Sequence, residues 1–157
     1  MSRIIEGSVL RLECAACRRE IWHFSLFGDS DVATSGLYSA SSVSKKEVVV
    51  AEAEAEEWDR DDGDAFARRL NDELQRNDLV FVRLLRVEEH SEMHPGELPI
   101  DFMNRYRRPT LYFSCPHCAD GESTVVEELE PSEFRAAGGA INLVGDLELR
   151  ELPRSHL

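Results

Sequence analysis

Positive charge is scarce in this sequence. Eighteen Lys and Arg stand against 31 Asp and Glu, for a formal net charge of −13. A field of that sign repels phosphate backbones, because nucleic-acid binders present basic patches. It attracts a basic partner, and its plain alternative role is solubility. No apolar run approaches the ~18 residues that span a bilayer, so no membrane association is expected. The opening MSRIIEGSVLRLECAAC has no apolar h-region and carries Glu6 and Glu13 early. No secretory signal is read there, and the expected compartment is the cytoplasm, where thiols stay reduced. A glycine-rich phosphate loop, a nucleophile elbow and a Ser-His-Asp spacing are all missing. Carboxylate pairs abound, but among 31 acids any pair is expected by chance. The expectation is a protein that is not an enzyme.

What is present suits one ordinary domain spanning residues 1–157. SVLRLEC (8–14) alternates apolar and polar residues and reads as a strand; CAAC (14–17) is a turn and EIWHFSLFG (20–28) the returning strand. The Ser-, Asp- and Gly-rich 28–46 reads as a long loop. EVVVAEAEAEEW (47–58) has period two and reads as a strand, against the helical preference of Ala and Glu. Phe66, Leu70 and Leu74 recur every four residues behind Asp64 as N-cap, which predicts an amphipathic helix. LVFVRLLRV (79–87) is apolar on both faces at its start, as in a central strand. Residues 88–109 read as loop, TLYFSC and STVVEEL as strands, and PSEFRAAGG as a short helix opened by Pro131. AINLVG and DLELREL read as a hairpin about Gly145-Asp146. The fold class is therefore α+β, mostly antiparallel, with one or two helices.

The four cysteines are Cys14, Cys17, Cys115 and Cys118. Cys115-Pro-His-Cys118 resembles the redox loop of thioredoxin-fold disulfide oxidoreductases. That chemistry needs its first cysteine at a helix N-terminus, where the dipole favours the thiolate. Here Gly121 and β-branched residues follow, which argues strand. Cys14-Ala-Ala-Cys17 and Cys115-Pro-His-Cys118 each sit in a strand-turn-strand context, where a two-residue spacing aims both thiolates at one ion. The two knuckles resemble the zinc-ribbon class, split by 97 residues where compact ribbons use about 15–20. Loop-closure entropy grows only logarithmically with length, so the separation costs little. The resemblance implies a structural zinc held by four thiolates, with no open coordination position. Arg18, Arg19 and His117 flank the knuckles and could offset their charge, or simply form a solvated hairpin end.

Three other groupings stand out. His90 and His94 lie four apart among glutamates, but Pro95-Gly96 interrupts any helix, so a polar loop is the plainer reading. Arg105, Tyr106, Arg107 and Arg108 form a basic-aromatic group of the kind that grips single-stranded nucleic acid; internal pairing with the acidic run is the alternative. That run, AEAEAEEWDRDDGD (51–64), is either a solvated face or a surface for a basic protein, with Glu52, Glu54, Glu56, Asp61 and Asp62 as its carboxylates. Trp58 within it is either an interface anchor or, more commonly for tryptophan, a core residue. The function that combines these features is an acidic, zinc-binding interaction module, of inhibitor or immunity type, that neutralises a basic toxin or nuclease. The alternatives are a zinc-ribbon accessory factor of nucleic-acid machinery and a thiol-disulfide oxidoreductase using the Cys115–Cys118 loop.

Overall fold

Alternation along SVLRLEC and EIWHFSL does produce paired strands. The computed structural model describes residues 2–27, 36–60 and 62–151. In it β2 (Gly7–Cys14) and β3 (Glu20–Leu26) form an antiparallel hairpin. β8 (Thr110–Ser114) and β9 (Glu122–Leu129) form a second one, and β7 (Leu84–Glu88) borders β8. Pairing of β2 with β9 unites them into a five-stranded antiparallel sheet, ordered β3-β2-β9-β8-β7. A four-stranded sheet is ordered β10-β5-β4-β6, from β4 (Leu37–Ser42), β5 (Glu47–Glu52), β6 (Leu79–Val80) and β10 (Ala140–Val144). A short parallel pair joins β1 (Arg3–Ile5) to β11 (Leu147–Leu149). The helices are α1 (Ala55–Arg60), α2 (Gly63–Glu73), α3 (Pro99–Arg105) and α4 (Pro131–Ala136). Among the described residues the fold is thus α+β, with eleven strands, mostly antiparallel, and four helices.

The layers follow from which faces are apolar. Val9 and Phe24 of the larger sheet meet Leu37, Val48 and Val50 of the smaller one, with Ile5 and Phe134 of α4 completing the cluster. On the far side of the smaller sheet Ala40, Val49 and Ala51 meet Phe66 and Leu70 of α2. A third cluster of Leu10, Leu12, Ile21, Val82 and Phe113 shares a face of the larger sheet with Cys14, two residues beyond Leu12. Each fully buried side chain of this size contributes about 1.5–3 kcal/mol, so the knuckles stand on a core of their own.

Several sequence expectations change. The segment 28–46 contains β4, whose Ser39, Ser41 and Ser42 are buried; Ser39 Oγ donates to the Phe24 carbonyl at 2.8 Å. Ser39 and Ser42 find partners within the fold while Ser41 Oγ is buried with none, and a serine-rich strand of this kind looks like loop in sequence; residues 28–35 lie outside the described residues. The strand of 47–58 ends at Glu52, and helical propensity wins from Ala55, where the Glu57 carboxylate accepts the Glu54 amide at 2.8 Å. Asp62, not Asp64, caps α2 by accepting from the Ala65 amide at 3.0 Å. The run 79–87 is not one central strand. It leaves the smaller sheet after β6, buries Val82 in the third cluster, and enters the larger sheet as the exposed edge β7. The 88–109 loop contains α3, all of whose residues escape burial. Gly145, at φ +99°, turns the chain as expected, yet β10 and β11 do not pair. They run parallel to β5 and β1 in separate sheets.

Candidate metal centre

Both cysteine turns lie at one end of the five-stranded sheet because β2 and β9 pair there, with Cys14 opposite Ser123. In the first turn the Arg18 amide donates to the Cys14 carbonyl at 2.9 Å, and the Cys14 amide to the Arg19 carbonyl at 3.0 Å. Arg18 takes the left-handed conformation at φ 64°, which costs a side-chain-bearing residue about 1 kcal/mol and tightens the turn. The Ala15 amide donates to the Glu122 carbonyl at 3.1 Å, tying this knuckle to the other hairpin. In the second turn the His117 amide points at Cys115 Sγ, 3.4 Å away.

All four sulfurs lie within 4.8 Å of one another. Cys14 Sγ is 3.7 Å from Cys118 Sγ, and Cys17 Sγ is 3.6 Å from Cys115 Sγ. A tetrahedral ion with metal–sulfur bonds of about 2.3 Å has sulfur–sulfur edges of about 3.8 Å, so the cluster could hold a metal ion of that size. Gly121 shows how closely the chain is fitted around it. A Cβ there would stand 2.2 Å from Cys14 Sγ and 2.6 Å from Cys118 Sγ, inside contact distance of both. In the sequence Gly121 signals only a strand context; nothing in its neighbours marks it as the residue that makes room for the sulfurs.

The thiols titrate unequally. Burial opposes ionisation of Cys14, but the Cys17 and Ala16 amides and the neighbouring thiols outweigh it and hold that pKa near about 7. Burial pushes Cys115 up, and contact with Cys14 followed by burial pushes Cys118 up to about 12. The Cys14 thiolate therefore forms readily, whereas Cys115 and Cys118 resist unless a cation compensates them. Charges on the elements that carry the turns are paired among themselves. Arg18 stands 3.9 Å from Glu13, Arg11 2.7 Å from Glu20, and Arg86 3.0 Å from Glu122. His117 Nε2 lies 3.2 Å from the Glu20 carbonyl, and Arg19 takes part through its backbone. The Cys115–Cys118 turn leads into β9 rather than a helix, and burial pushes the thiol of Cys115, the first cysteine of the loop, up rather than down. The oxidoreductase arrangement is thus missing from this loop.

The other candidate residues are not drawn to this centre. His90 Nε2 is 2.6 Å from Thr110 Oγ1, while the His94 amide donates to Glu97. Among the described residues the cysteines form the one cluster with metal-ligand geometry. Arg105 grips Glu97 at 2.6 and 2.8 Å and also the Glu92 carbonyl. Arg108 stands 3.7 Å from Glu128, and the Arg107 amide bonds Ser91 Oγ. Arg105 and Arg108 thus pair internally, with Glu97 and Glu128 in place of the acidic run, while Arg107 is bonded through its backbone alone. That run is not a uniform row. Glu57 is buried, and although burial raises its pKa, hydrogen bonds from Arg69 at 2.9–3.1 Å bring it below the usual carboxylate value. Glu52 is 3.7 Å from Arg3, Glu54 is 4.0 Å from Arg69, and Asp62 is the α2 cap. Glu56 is exposed, and Trp58 is 47% exposed with its ring 5.9 Å from that of Tyr38, so it is not a core residue. Asp61 lies outside the described residues. No helix among the described residues is long and apolar enough to cross a membrane.

Comparison of the chain with protein-family models, with curated proteins and with solved structures gives no match in any of the three.

Proposed function

We propose that Cys14, Cys17, Cys115 and Cys118 hold one structural zinc ion, and that the protein is an acidic interaction module whose partner is a basic protein. The observation that carries this reading is the sulfur cluster, with all four atoms within 4.8 Å and Gly121 leaving the space they need. Four thiolate ligands suit zinc, and they leave no position for water or substrate. Zinc, when bound, supplies a cross-link between the two hairpins; the chain supplies the turns that aim the sulfurs. The partner half of the proposal is supported by the net charge of −13 and by an acidic segment that exposes Glu54, Glu56 and Trp58 together. An exposed tryptophan in a segment of exposed carboxylates is a suitable anchor for a cationic surface. An inhibitor or immunity-type protein that neutralises a basic toxin or nuclease is the specific form we put forward.

The test is capture from lysate before and after nuclease treatment. A stoichiometric protein of pI above about 9, retained after nuclease and weakened by Glu54→Gln with Glu56→Gln, is the expected result. Retention that disappears with nuclease treatment would transfer the reading to nucleic-acid machinery.

A further inference from the structure

The sheet order leaves β7 at the end of the five-stranded sheet. One edge pairs with β8, from Leu84 opposite Phe113 to Glu88 opposite Thr110; the other pairs with no strand among the described residues. Unpaired amides and carbonyls along such an edge are a template for another strand, and proteins guard them with charged side chains, prolines or a cover. β7 lacks a proline, and its two charges are drawn across the face of its own sheet. The Arg86 guanidinium lies 3.6 Å from the centre of the Tyr112 ring and 3.0 Å from Glu122. Glu88 accepts the Tyr112 hydroxyl at 2.8 Å. Beside these two half-exposed charged side chains, Leu84, Leu85 and Val87 also reach solvent, 49%, 47% and 46% exposed. The irregularity at Leu84/Arg86 leaves Arg86 to Glu88 in regular pairing.

Charge selects the occupant. A second copy would bring another −13, and self-repulsion opposes that pairing. Around the edge the arginines are already engaged, Arg83 at 3.8 Å from Asp64 and Arg86 with Glu122. The next acids, Glu89 and Glu92, are exposed and have no ion pair among the described residues. Against these two acids stands one exposed cation without an ion pair among the described residues, Arg107, whose amide bonds Ser91 Oγ, so the uncompensated local charge is negative by one. The geometry points to strand addition at β7, in which an extended basic segment of a partner protein, apolar at alternate positions, bonds its backbone to the free edge and sets its cations against Glu89 and Glu92. This rests on the reading that the partner is basic, and adds where and in what conformation it is held.

The experiment uses the full chain loaded with zinc and a short synthetic peptide of alternating Val and Lys. Its comparators are a Gly-Lys peptide of equal charge, a Val-Glu peptide, and the Val-Lys peptide methylated at every backbone nitrogen. Binding is read by titration, and its location by protection of the Leu84–Glu88 amides from hydrogen exchange. The expected result is Val-Lys binding about tenfold or more tighter than each comparator, with protection confined to β7. Equal binding of the Gly-Lys or methylated peptide would overturn strand addition while leaving a basic partner standing. Failure of every basic peptide to bind would also overturn it, and lysate capture then judges the partner reading separately. Protection of β7 that grows with protein concentration in the absence of peptide would make a second copy the occupant and overturn the proposal.

Discussion

Gly121→Ala puts the candidate metal centre to its most direct test. The backbone there does not need glycine, since Gly121 has no positive φ. Only space objects. The new Cβ would sit 2.2 Å from Cys14 Sγ, where an ordinary contact of this kind is about 3.5–4.0 Å. Cys14 Sγ must then shift by about 1.5 Å, and Cys118 Sγ, 2.6 Å from the same Cβ, by about 1 Å. In stripped protein the free thiols can rotate away at little cost. In loaded protein they are held about 2.3 Å from the metal, and a shift of that size breaks or badly bends a coordination bond. Support-residue changes around metals already cost 10–100-fold in affinity, so about 100-fold, or about 2.7 kcal/mol, is expected here. For a chain of this size 1 kcal/mol moves the melting temperature by about 2–4 °C, so zinc should stabilise the variant by about 5–10 °C less than it stabilises the parent. The assay is a pair of melting curves, with zinc and with chelator, for each protein, together with a competition titration for affinity. The difference between the two curves removes any general cost of the substitution. A variant that binds zinc as tightly as the parent would refute the sulfur geometry on which the site rests.

Purified protein should carry about one zinc per chain, and Cys14→Ser or Cys115→Ser should each release it; metal analysis checks this, and a Cys115–Cys118 disulfide without metal would contradict it. Burial holds the His23 imidazole at about 4, its Nδ1 buried without a hydrogen-bond partner beside the Phe113 ring. A pKa depressed from about 6.5 in the unfolded chain means stability that is complete above that value and lost as pH falls through the folded one. The loss is at most about 3.4 kcal/mol, and His23→Phe should flatten the denaturant midpoint against pH between about 6.5 and 4. If charge steers the partner, stopped-flow association should slow steeply with salt, and Glu54→Gln, Glu56→Gln and Asp62→Asn together should slow it without unfolding α2. The Asn keeps the helix-capping oxygen. A salt-independent on-rate would leave the acidic charge a role in solubility alone. Glu57→Gln, one residue from Glu56, should instead cost stability, since it weakens the carboxylate that Arg69 holds at 2.9 Å.

Sequence by itself determined the features that need only short-range information. The alternation around each Cys-x-x-Cys turn specifies two hairpins, and both form. The four-residue recurrence of Phe66 and Leu70 specifies α2, and Pro131 with Gly138 and Gly139 brackets α4. Residue chemistry then singled out the four cysteines as a set. Tertiary structure decided everything that depends on which strand lies beside which. Period two states that a residue faces up or down, but it does not name the neighbour. β10 and β11, adjacent in sequence and joined by a turn, therefore go to different sheets. The apolar run 79–87 belongs to two sheets for the same reason, and β4 is a strand because β5 and β6 pair with it, with Ser39 bonded to the Phe24 carbonyl. Only folding separates Glu56 from Glu57, identical neighbours of which one is solvated and the other is buried against Arg69. Gly121 is decided in the same way. Its hydrogen side chain matters because β2 pairs with β9, which brings Cys14 from more than a hundred residues earlier in the chain to within 2.2 Å of where a methyl group would stand.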